Sequence, residues 1–179
     1  SDLMALASYK RAVSNFVSIV TGQSIPVAYS TKDESFTDGK QVVISSNIKD
    51  KDFDPTVGLA LHEGSHCKLT NFTVLHNLMN NPKNVIDIKL WEQIANKHFS
   101  HLDSEDLNWY VSQYITDKVK SLLNYVEDRR IDNFVYKSAP GYQGYYKAMY
   151  DKYFNAKIID KGLQSSECRE LDWQSYMFR

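Results

Sequence analysis

His62, Glu63 and His66 stand together in the stretch "ALHEGSHCKL" (60–69), which contains the pattern HExxH. On a helix, residues four apart lie one turn above each other on the same face. Two imidazoles so placed can each direct a nitrogen at one metal ion, and zinc accepts such ligands in a tetrahedral shell. Glu63, one residue round from His62, is then beside the metal without ligating it. There it can take a proton from a zinc-activated water. The competing reading is a surface helix with two solvated histidines. Gly64 sits between the histidines and costs a helix interior about 1 kcal/mol relative to Ala. Close approach of a substrate or another backbone would offset that cost.

A catalytic zinc site needs a third protein ligand and an open fourth position. The extended pattern HExxHxxGxxH is absent, because "CKLTNFTVLH" follows His66 and His76 does not fit the spacing. A carboxylate from a later helix is the remaining source. In "LLNYVEDRRIDNFV" (122–135), Leu123, Glu127, Ile131 and Phe134 align on one helical face. Glu127 thus falls in an apolar stripe, where an acidic group requires a partner. Zinc is one partner; Arg129 or Arg130 in an ion pair is the other. Asp128 is the rival ligand. Asp128 and Asp132 are four apart, so one can bind metal while the other orients a histidine. The site expected from these residues has Glu63 as general base and His62, His66 and Glu127 on Zn2+.

These side chains need a helix, and the flanking sequence supplies one. Asp54 suits an N-cap and Pro55 a first helical position, so a helix is expected from about Pro55 to roughly Thr70. Ahead of it, "IPVAYS" (25–30) and "QVVISS" (41–46) read as strands joined by a polar loop with Asp38-Gly39 as its turn signal. Residues 3–20 carry apolar positions at helical spacing, ended by "TGQ". Helices are expected over 71–80 and 85–99 and from Leu102 onward as one or two, then over 145–154 and 165–178, with a break at "APGYQG" (139–144). No repeat or linker interrupts the chain. The expected fold is a single α+β domain over 1–179, mostly helical, with a small N-terminal β-sheet packed on the HExxH helix.

Composition bounds the function. The chain has 179 residues, 42% hydrophobic and 24% charged, an ordinary globular balance. A net charge of -1 argues against nucleic-acid binding driven by bulk charge. Cys67 and Cys168 make no CxxC pair and no disulfide framework. No apolar run reaches the length of a membrane span, and no signal peptide is legible. A cytoplasmic protein that does not bind membrane is the expectation. His76, His98 and His101 have no partner at metal spacing and read as surface residues. Cys67 reads as a small core residue.

The two motifs together resemble the gluzincin branch of zinc metallopeptidases, in which an acidic residue on a later helix completes HExxH. More closely, "ALHEGSHCKL" followed by "NYVEDRRID" is similar to the peptidase-like half of bacterial and phage proteins with an N-x-x-E-D-x-R-[IV]-[DE] helix. That similarity covers about residues 25–70 and 120–155. Some of those proteins carry a von Willebrand factor A-like domain and work beside an AAA+ ATPase, so the resemblance implies a further domain or partner protein. An A-like domain is not expected within these 179 residues. An Asp four residues after the acidic ligand is met from Asp128 to Asp132 and not from Glu127, because position 131 is Ile. The resemblance implies a zincin-like fold and hydrolysis of a peptide or protein substrate by a zinc-activated water. Tyr142, Tyr145, Tyr146 and Arg130 are candidates to steady the oxyanion. The alternative is a non-catalytic zinc-stabilised module that docks through tyrosine-rich residues 142–153.

Overall fold

The computed structural model describes residues 2–154 apart from positions 33, 48, 49 and 85. The helix expected over 165–178, with Cys168, lies outside the described residues. The described chain is mostly helical with one small sheet, an α+β fold. It divides into two compact units, residues 1–68 with 133–179, and residues 69–132. No linker marks the division, which falls inside two continuous helices.

The first unit opens with α1 (Asp2–Thr21). Gly22, at φ 68°, ends it and donates its N–H to the Ser18 carbonyl. Strands β1 (Val27–Ser30), β2 (Phe36–Thr37) and β3 (Val42–Ser45) follow, in the spatial order β1-β3-β2. β1 runs parallel to β3 and β2 antiparallel to it. The expected polar loop between two strands therefore contains a third. Two residues are too few to carry a period-2 signal, and Phe36 is the lone apolar residue of that loop. Asp38-Gly39 is the turn of the β2–β3 hairpin: Gly39 takes φ 87°, and the Asp38 carboxylate accepts the N–H groups of Lys40 and Gln41.

α2 (Phe53–Leu69) carries HExxH. It begins two residues before the expected Pro55, out of a 3-10 turn at Asp50–Asp52. Asp54 lies inside its first turn, where a carboxylate still complements the helix dipole. α2 is packed on several sides. A Cβ on Gly64 would stand 2.8 Å from Val17 Cγ1, and a Cβ on Gly58 would collide with the Tyr145 carbonyl oxygen and lie 2.8 Å from Met149 Cβ. The two glycines thus let α1 and α6 (Gln143–Tyr153) approach. The helix cost of Gly64 is offset by an α1 side chain, not by another backbone. The sheet reaches α2 through Cys67, whose sulfur is 3.0 Å from Thr37 Oγ1. Val13, Val17, Val42, Ile44, Val57 and Leu61 are buried in this unit.

The second unit contains α3 (Phe72–Asn80), α4 (Ile88–His98) and most of α5 (Ser104–Ser138). The sequence left one or two helices open from Leu102 onward; it is one helix of 35 residues. Asn71 and Asp87 cap α3 and α4 by accepting the N–H groups of Val74 and Leu90. The Asp87 cap moves the start of α4 inward from the expected 85. Trp91, Ala95, Val111 and Ile115 form the unit's core, with Ile94, Phe99 and Leu107 packed against them. No helix among the described residues is long and apolar enough to cross a membrane.

Candidate metal centre

Leu59, His62, Glu63 and His66 share one face of α2, each half-buried, while Leu61, Gly64 and Ser65 on the other side are fully buried. The two imidazoles lie one above the other, ring centroids 4.9 Å apart and planes at 87°. Ser65 Oγ donates to the Leu61 carbonyl, so the one hydroxyl between the histidines is turned back onto the helix.

The described residues that could hold a metal ion together are His62, His66 and Asp128: each offers one ligand atom, and these atoms all lie within 4.8 Å of one another. Ligand atoms of a tetrahedral zinc shell, with bonds of about 2.0–2.1 Å, stand roughly 3.3 Å apart. Two neutral imidazoles and one carboxylate are a donor set that suits zinc and leaves its fourth position open.

Glu127, expected as the third ligand, has other partners. Its carboxylate accepts the Thr70 hydroxyl at 2.7 Å and is bound by Arg130 through Nε at 2.7 Å and Nη2 at 2.6 Å. The same Nη2 donates to the carbonyl of Leu69, the last residue of α2, at 2.8 Å. The Glu127 hydrogen bonds raise the Arg130 pKa still further. The ion pair weighed against zinc is therefore formed, and the carboxylate grouped with the histidines is the rival, Asp128.

The reason lies in how α5 is turned. The expected stripe 123/127/131/134 ends on Phe134, which is 49% exposed, whereas Ile131, Asp132 and Val135 are buried. The inward face is thus centred nearer 128/131/135. Leu123 and Phe134 suggested a stripe whose true axis lies about one residue away. The Glu127–Arg130 spacing of three was legible as an ion pair; the roles of Thr70 and the Leu69 carbonyl had no sequence signal.

The remaining candidates resolve into packing. Tyr142 and Tyr145 lie against Phe16 of α1, at centroid distances of 5.7 and 5.3 Å, and Tyr146 is buried. His76 Nε2 pairs with the Asn80 side chain along α3, and His98 stacks on Tyr114 at 4.9 Å. Both histidines are exposed, as is His101. Cys67 is half-buried. Its sulfur lies 3.0 Å from Thr37 Oγ1, which also donates to the Gln41 carbonyl at 2.7 Å. Burial pushes the thiol pKa up, the Thr37 bond works against it, and the Asp38 and Glu63 carboxylates push the same way as burial. Comparison of the chain with protein-family models, with curated proteins and with solved structures gives no match.

Proposed function

We propose that this chain is a zinc-dependent peptidase in which His62, His66 and Asp128 hold the metal and Glu63 is the general base. One observation carries the reading: two histidines one helical turn apart, with a third ligand atom within 4.8 Å, on a helix that also bears Glu63 beside the first histidine. Zinc bound there would lower the pKa of a water toward neutrality and polarise a carbonyl. Glu63 would take the proton from that water and return it to the departing amine. His62 and His66 would project from a helix whose backbone is held by close packing at Gly58 and Gly64. Glu127 would serve as a positioning residue: with Arg130 and Thr70 it ties the acidic turn of α5 to the C-terminal end of the histidine helix.

The test is elemental analysis of the chain purified without added metal or chelator, followed by a peptide-cleavage screen. About one zinc per chain, with cleavage abolished in Glu63→Gln while zinc is retained, is the expected result. Bound zinc with no cleavage of any peptide would make the site a structural one. Absence of zinc, with no rise in Tm on adding it, would return His62 and His66 to ordinary helix residues.

A further inference from the structure

A cavity of about 180 Å³ opens in the first unit at the end of β3. Its floor is Ile44, Thr56 and Leu59, and its rim includes Glu34, Asp52 and Lys152. The volume is below the roughly 300–1,000 Å³ of small-molecule sites, and suits one side chain. Its position follows from α2. Thr56 and Leu59 continue, toward the helix N-terminus, the same face that carries His62, Glu63 and His66. Leu59 precedes His62 by three residues, about 4.5 Å along the axis. An extended peptide advances about 3.3 Å per residue. A chain lying along this face therefore places a side chain at the cavity within one or two residues of the bond at the metal centre.

The lining has a definite chemistry. Lys152 Nζ is held by Asp52 Oδ1 at 3.0 Å, so the one ammonium on the rim is already matched to a carboxylate. Glu34 forms no ion pair or hydrogen bond among the described residues. Among the described lining residues two carboxylates stand against one ammonium, a surplus of negative charge. Thr56 Oγ1 is committed to the Asp52 carbonyl, which leaves Ile44 and Leu59 as the aliphatic part of a lining that otherwise carries Ser35, Ser45, Asn47 and Tyr153. An aliphatic floor beneath a negative rim matches a side chain with an apolar stem and a cationic tip.

We infer that this cavity is a subsite for a basic side chain of the peptide substrate, with Glu34 as the residue that selects it. The inference rests on the peptidase reading for the identity of its occupant.

Binding and cleavage are measured separately, so that the two readings can fail independently. The zinc-loaded Glu63→Gln chain, which leaves peptides uncut, is titrated by two-dimensional NMR with Ac-Ala-Ala-Lys-Ala-Ala-NH2. The same peptide with norleucine or glutamate in place of lysine serves for comparison. The expected result is shifts at the amides of Ile44, Ser45 and Thr56, with the lysine peptide bound about fivefold or more tighter than the norleucine one. Adding Glu34→Gln should remove that preference and leave the rest of the spectrum in place. Equal binding of the three peptides, tighter binding of the glutamate peptide, or shifts confined to other residues would overturn the subsite. Selective shifts without cleavage by the wild-type chain would strike the peptidase reading and keep the cavity as a site for basic peptides. Cleavage without preference for lysine or arginine near the cut would leave the peptidase reading and remove the subsite.

Discussion

The histidine turn of α2 and the acidic turn of α5 are held in opposite ways. Residues 57–65 of α2 are fixed by close packing: Gly58 lies under the Tyr145 carbonyl, Gly64 under Val17, and Val57, Ala60 and Leu61 are fully buried. Residues 127–130 of α5 are fixed by polar bonds among Thr70, Glu127, Arg130 and the Leu69 carbonyl, and Arg130 is 49% exposed. The packed turn is intolerant of added volume. The bonded turn is tuned by charge and geometry, and its individual bonds are weak. The first should govern whether the protein folds; the second, at the proposed metal site, how well zinc would be held.

The largest effect should come from Gly58→Ala. Its new Cβ meets backbone at Tyr145, which cannot rotate away, so a loss of about 3 kcal/mol is expected from the urea midpoint. A variant as stable as wild type would show that α6 does not press on α2. Gly64→Ala meets side-chain methyls alone, Val17 Cγ1 at 2.8 Å and Thr21 Cγ2 at 3.5 Å, and should lose less.

Next in size is the metal itself. His66→Ala and Asp128→Ala should each weaken zinc binding by about 100-fold or more while leaving the metal-free Tm nearly unchanged, read by competition with a chelating dye. Glu127→Gln breaks the charged pair with Arg130 and should weaken zinc about tenfold or less, keeping one zinc per chain. Its effect on stability should stay below about 1 kcal/mol, because Arg130 is half-exposed. If Glu127→Gln loses the metal and Asp128→Asn keeps it, the roles of the two carboxylates are reversed.

The smallest effect concerns pH and lies away from both turns. Burial pushes the Tyr29 hydroxyl up to about 12, partly opposed by a hydrogen bond with Ser14. The folded form holds this proton more tightly than the unfolded form. The associated stability is complete below the ordinary value near 10 and is lost as pH rises from there to about 12. Tyr29→Phe should flatten that part of the alkaline unfolding curve. An unchanged slope would assign the alkaline loss to other groups.

The two turns also differ in how far they could be read from residues alone. HExxH lies in one continuous segment, so helical periodicity by itself places both histidines and Glu63 on one face of α2. The acidic turn depends on how α5 is rotated about its axis, and neighbouring candidates 127 and 128 differ by only 100°. Leu123 and Phe134 suggested the wrong rotation, because an exposed aromatic is common at a surface. β2 was illegible for another reason: a two-residue strand is defined by its partner β3, not by its own pattern.

By itself the sequence determined most of the helices to within a few residues, the turn at Asp38-Gly39, the helix-rich α+β class and the spacing of His62, Glu63 and His66. These depend on interactions within a few residues. Only the tertiary structure decided which glycine faces which neighbour, that Glu127 is taken by Arg130 and Thr70, and that Asp128 is the carboxylate grouped with the histidines. Thr70 and Glu127 are 57 positions apart, and contacts across such a distance are set by the rotation of whole helices, which no local pattern encodes.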